Sequence, residues 1–126
     1  MRLLLSAAVV CTALVAALGD VCDTYGNGCS IPYGLPFFYK SKFTHSCNCH
    51  DICYGCGELL GVSKSECDRR FQSDMKATCS SAVCRGAADI YYEAVVLRGK
   101  ENYNSASSPD SYCSNSAVRS RVRSVG

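Results

Sequence analysis

Cysteine content constrains this chain more than any other feature: 11 in 126 residues. Usage this high marks a disulfide-stapled chain made in an oxidising compartment. The N-terminus agrees with that route. Arg2 precedes an apolar run from Leu3 to Leu18, broken only by Ser6 and Thr12. Ala17 and Gly19 then suit a signal-peptidase cut before Asp20. The run falls short of the roughly 18–20 apolar residues a membrane span needs, and an acid follows at once, so it reads as a secretory signal rather than an anchor. The expected organisation is a signal peptide over 1–19 and a single domain over 20–126. The cut removes Cys11 and leaves cysteines at 22, 29, 47, 49, 53, 56, 67, 79, 84 and 113. An even number in a secreted chain predicts five disulfides. A formal charge of +2, without aromatics interleaved among basic clusters, argues against a nucleic-acid partner.

Residues 20–36 are turn-rich, with Tyr25-Gly26-Asn27-Gly28, Pro32, Gly34 and Pro36, and read as an irregular loop. From Phe37 to about Tyr54 there is neither Pro nor Gly. Phe43, Cys47, His50 and Tyr54 recur at helical spacing, and Gly55 and Gly57 are expected to end that helix. Ser63 with Glu66 forms a capping box for a second helix reaching about Cys79, with Cys67, Phe71 and Met75 as its apolar seam. A third helix is expected over 82–98. Residues 102–116 read as loop. The closing Arg119, Arg121 and Arg123, with no acid beyond Asp110, read as a frayed basic tail.

The chemistry concentrates in Cys47-Asn48-Cys49-His50-Asp51-Ile52-Cys53-Tyr54-Gly55-Cys56-Gly57. Zinc is disfavoured, because oxidised cysteines are not thiolate ligands. A redox Cys53-x-x-Cys56 is disfavoured too, because no βαβ pattern surrounds it. A disulfide-fixed helix offering His50 and Asp51 side by side remains. Adjacent helical residues point about 100° apart, so the two can serve neighbouring centres. An imidazole suits a general base that takes a proton from water. Asp68 on the second helix is the best-placed carboxylate to orient it. Asp51 is a hard oxygen ligand aimed at the Gly-rich loop, a pattern that suits Ca²⁺.

The motif Cys47-x-x-His50-Asp51-x-Cys53-Tyr54 resembles that of the secreted phospholipases A2. Asn27-Gly28-Cys29, Leu35-Pro36-Phe37-Phe38-Tyr39-Lys40 and Cys47-Asn48-x-His50-Asp51 resemble the conodipines, cone-snail venom phospholipases of group IX. Asp68, Phe71, Asp74-Met75-Lys76 and Tyr91-Tyr92-Glu93-Ala94-Val95 are similar to the small bacterial and fungal phospholipases A2. The resemblance implies a mainly α, disulfide-rich fold. Two antiparallel catalytic helices, a calcium loop and a third helix would compose it. It further implies a secreted, calcium-dependent hydrolase of the glycerophospholipid sn-2 ester, with a toxin that acts by binding a receptor or ion channel as the alternative.

By that resemblance His50 is the base, Asp68 its orienting carboxylate and Tyr54 a hydrogen-bond donor to Asp68. Asp51, Asn27, Gly28 and Ser30 would hold Ca²⁺, with Pro32 a further candidate, and Cys29 would pair with Cys47. The partner is then a phospholipid membrane surface or micelle. Leu35, Phe37, Phe38 and Tyr39 beside Lys40 and Lys42 form the expected adsorbing segment. Conodipine-like precursors are cut into two disulfide-linked chains, so about 99–126 would be a tail or a separate processed chain.

Overall fold

The computed structural model describes residues 20–30, 39–104 and 109–125. The expected signal segment, Pro32 and the side chains of Leu35, Phe37 and Phe38 lie outside the described residues. Among the described residues the architecture is helical, with no strand. It comprises α1 (Val21–Tyr25), α2 (Lys40–Leu60), α3 (Lys64–Ala77), α4 (Ala82–Arg98), α5 (Lys100–Asn104), a 3-10 turn (Ser111–Ser114) and α6 (Ser116–Arg123). None of these helices is long and apolar enough to cross a membrane. The long helix α2 is the spine. It packs on α3, and α3 packs on α4, while α1 and α6 cover the far side of α2.

Two glycines expected to stop α2 sit inside it. The helix runs through Gly55 and Gly57 to Leu60 and stops at Gly61, whose left-handed φ of 75° lets its N–H reach back to the carbonyls of Gly57 and Glu58. Gly55 and Gly57 serve close approach instead. A Cβ on Gly55 would overlap the Tyr112 hydroxyl, and one on Gly57 would lie 2.7 Å from the Val62 carbonyl. Helix α3 has the expected start: the Ser63 hydroxyl accepts the Glu66 N–H, and Glu66 accepts the Ser63 N–H in return. It ends at Ala77, two residues short of Cys79. Helix α4 covers 82–98, as its apolar spacing predicts, and starts on a Ser81 side-chain cap.

The C-terminus corrects the sequence reading. Residues 116–123 form a docked helix, capped by the Asn115 side chain, in which Val118 and Val122 are fully buried. Only this four-residue apolar step faces the core, so the intervening arginines and serines made the segment look like a tail. Residues 100–104 and 111–114 are helical turns rather than loop. The leading loop is likewise shorter than expected, because Asp20 caps a first helix by accepting the Cys22 N–H.

Five disulfides link Cys22–Cys49, Cys29–Cys47, Cys53–Cys67, Cys56–Cys113 and Cys79–Cys84. Four of them anchor α2: to α1, to the loop after α1, to α3 and to the C-terminal turn. The core divides in two. One cluster gathers Ile52, Val62, Val118 and Val122 around the cystines of α2. The other packs Phe43, Phe71, Met75, Ala88 and Tyr91 between α2, α3 and α4.

Candidate active site

On the face of α2 turned toward α3, His50 is 7% exposed. Its Nε2 lies 2.8 Å from Asp68 Oδ1. The Tyr54 hydroxyl donates to the same oxygen at 2.6 Å, and Lys64 Nζ donates to Asp68 Oδ2 at 2.7 Å. Asp68 is 2% exposed. Burial alone would push its pKa up, but the hydrogen bonds from His50, Lys64 and Tyr54 outweigh burial and hold it below the ordinary carboxylate value. The ionised Asp68 therefore takes the Nε2–H of His50 and leaves Nδ1 with the free lone pair. Phe71 stacks on the imidazole with centroids 4.5 Å apart, and the Tyr54 ring lies 4.1 Å from it. These rings fix the plane of the imidazole. Arg70, on the same helix as Asp68, pairs with Asp74 instead.

Asp51, about 100° further round α2, faces the loop after α1. Its Oδ2 accepts the Asn27 backbone N–H at 2.8 Å. The Gly28 N–H, at a φ of 75°, is held by Asn48 Oδ1 at 2.7 Å, and Asn48 Nδ2 donates to Asp23. Asn48 is 6% exposed and is the internal brace of this loop. In the sequence its only signal is an amide set between two cysteines of the motif. Burial raises the Asp51 pKa; the Asn27 N–H and the neighbouring His50 oppose that only in part.

A half-buried carboxylate whose charge is incompletely compensated, facing a turn of main-chain groups, fits a hard divalent cation such as Ca²⁺. Asn27 meets Asp51 through its backbone N–H, while its side chain is exposed. Asp20, His45 and Cys49 also approach one another closely. The Cys49 sulfur is bonded to Cys22, so it offers no thiolate and this group does not fit a metal.

A cleft of about 430 Å³ joins the two centres. His50, Asp51 and Tyr54 line it with Asn27, Gly28 and Ser30 of the loop. Phe71, Tyr91, Ala94 and Val95 supply an apolar wall, and Asp110 and Tyr112 supply its C-terminal rim. Thus the structure brings His50, Tyr54 and Asp68 into one buried network, and Asp51, Asn27, Gly28 and Ser30 to the adjoining end of the same cleft. Lys64 and Tyr112 belong to the site and were not singled out from the sequence. Tyr39 is 36% exposed and stacks on Phe43, while Lys40 and Lys42 lie exposed at the start of α2.

Comparison with known proteins gives the family. Residues 16–99 match the family model described as prokaryotic phospholipase A2, and the chain belongs to that family. It is 39% identical to conodipine-P3 of Conus purpurascens over 78 residues, which cover 56% of this chain and 43% of that protein. It is 36% identical to the conodipine-M alpha chain of Conus magus over 62 residues, covering 48% of this chain and 78% of that one. The chain thus spans less than half the length of conodipine-P3. No solved structure matches it.

Proposed function

We propose that this protein is a secreted, calcium-dependent phospholipase A2 that hydrolyses the sn-2 ester of glycerophospholipids at a lipid surface, as a venom component of the conodipine kind. The observation that carries this reading is the bonded series Asp68–His50 opening into the cleft that Asp51 and the 27–30 loop share. His50 Nδ1 takes a proton from the attacking water, while Asp68 holds the imidazole in the required tautomer and stabilises its cation. Tyr54 and Lys64 keep Asp68 ionised and fixed. Phe71 and Tyr91 present an apolar wall to an acyl chain. Asp51, with main-chain oxygens of the 27–30 loop, would hold Ca²⁺, which when bound supplies charge to offset the phosphate and the developing oxyanion.

The test is release of fatty acid and lysophospholipid from a defined phosphatidylcholine. Hydrolysis is expected to vanish in excess chelator, to return with Ca²⁺, and to fall at least a thousandfold in His50→Gln and Asp51→Asn while both variants keep their five disulfides. Full activity in excess chelator, or in His50→Gln, would overturn the reading.

A further inference from the structure

Lys64 breaks two local rules. It is the first residue of α3, where the helix dipole disfavours a cation. It also stands four residues N-terminal to an acid, the weaker orientation for a helical ion pair. Helix formation alone gives no reason for it. Its contacts do. The ammonium donates to Asp68 Oδ2 at 2.7 Å, to the Val95 carbonyl at 2.9 Å and to the Val96 carbonyl at 3.4 Å. Those three acceptors match the three N–H donors of an ammonium group. The two carbonyls belong to the last turn of α4, the dipole end that attracts a cation. The Lys64 Nζ also lies 5.8 Å from the centroid of the Tyr54 ring.

This pair differs from an exposed ion pair, because the Asp68 side chain is 2% exposed and that of Lys64 is 21% exposed. Asp68 gives Oδ1 to two donors, His50 and Tyr54, and Oδ2 to Lys64. The carboxylate plane is thus fixed only while both oxygens are held. Without the ammonium, Oδ2 is left buried without its cation, and the Oδ1 that orients His50 is free to turn. Val95 and Gly99 line the cleft, so the same ammonium also ties the cleft wall to the carboxylate.

Resting on the reading above, we propose that Lys64 is a positioning residue of the hydrolytic centre: it fixes Asp68 by its second oxygen and couples that carboxylate to the C-terminal carbonyls of α4.

The test uses Lys64→Met and Lys64→Arg in the full disulfide-bonded protein, assayed on a soluble short-chain phosphatidylcholine. In Lys64→Met, kcat is expected to fall at least tenfold, with KM and calcium affinity changed less than twofold. Lys64→Arg should recover at least a third of kcat. In an Asp68→Asn background, Lys64→Met should cost less than twofold more, since its action runs through Asp68. A readout independent of turnover is the downfield proton resonance of the His50 N–H bonded to Asp68, recorded at one fixed pH. It should broaden away in Lys64→Met and persist in Lys64→Arg. Wild-type kcat in Lys64→Met, full additivity with Asp68→Asn, or an unchanged His50 resonance would each overturn the proposal. If the wild type hydrolyses no phospholipid, the enzymatic reading falls, and the resonance still decides the role of Lys64. If Lys64→Met does not fold, Lys64→Gln keeps a donor for the α4 carbonyls without the charge and is expected to show the same losses.

Discussion

Replacing Tyr54 with Phe removes one oxygen and tests the buried network directly. The Tyr54 hydroxyl donates to Asp68 Oδ1 at 2.6 Å. Burial and then the hydrogen bond to Asp68 raise the phenol pKa well above its ordinary value, so the donor stays protonated throughout any practical assay. Phenylalanine keeps the ring, and with it the contacts to His50 and to Tyr103, whose centroid lies 5.6 Å away. The measured loss therefore reports the hydroxyl. A hydrogen bond to a charged group contributes about 1.5–3 kcal/mol. Asp68 keeps His50 and Lys64 in the variant, so the lower end applies, about 1.5–2 kcal/mol. For a domain of this size that lowers Tm by roughly 6–16 °C. Calorimetry with disulfides intact is the assay, since such domains unfold in one cooperative step. Turnover should fall only a few-fold, because Nε2 of His50 still meets Asp68. A Tm within 2 °C of wild type would refute the claim that this bond holds the network together.

Acid should destabilise the protein through Asp68. Its folded pKa lies below the ordinary value of 3.8, so its contribution is present above that value and is lost as pH falls through the folded pKa. The Tm of the wild type should drop more between pH 6 and pH 3 than that of Asp68→Asn, and equal drops would exclude this origin. Among the disulfides, Cys56–Cys113 closes 57 residues and Cys79–Cys84 closes 5. On chain entropy, replacing the first pair by alanine should cost about 4 kcal/mol and the second about 2 kcal/mol, read from denaturant unfolding. Gly26→Ala should push the loop off α2, because the added Cβ overlaps Cα and Cβ of Asn48. Calcium affinity by calorimetry is expected to weaken at least fivefold.

What could be read from the sequence follows from how local its physics is. His50 and Tyr54 stand four residues apart on one helix face, which is a local argument, Asp68 stands on the next helix, and the structure places the three side chains in contact. The capping box at Ser63 and Glu66 is similarly local. Gly55 and Gly57 misled because glycine signals either a stop or a close approach, and only tertiary packing against Tyr112 and Val62 separates the two. Helix α6 hid because only Val118 and Val122 mark its buried face. Lys64 was overlooked because its partners Val95 and Val96 lie 31 and 32 residues away. The loop offered a subtler obstacle. Whether Asn27 meets Asp51 through its side chain or its N–H depends on the backbone of 26–28, and the left-handed Gly28 and the Asn48 brace set that backbone.

The helical period explains why so much chemistry fits one short motif. At about 100° per residue, Cys47, His50, Asp51 and Tyr54 fall within roughly one third of the circumference of α2. All four line the cleft. Cys49 and Cys56 fall on the opposite side, tied to α1 and the C-terminal turn, and Cys53, between them and His50, is tied to α3. Cys47 alone among these cysteines is on the cleft side, and it binds Cys29 of the loop that faces Asp51. Three covalent anchors therefore hold the helix to its neighbours, and the one on the cleft side holds the loop beside Asp51. A domain of this size has only a modest hydrophobic core. The cystines add stability by restricting the unfolded chain, and four of them tie α2 covalently to its neighbours, so that His50 and Asp51, adjacent in sequence, face different elements.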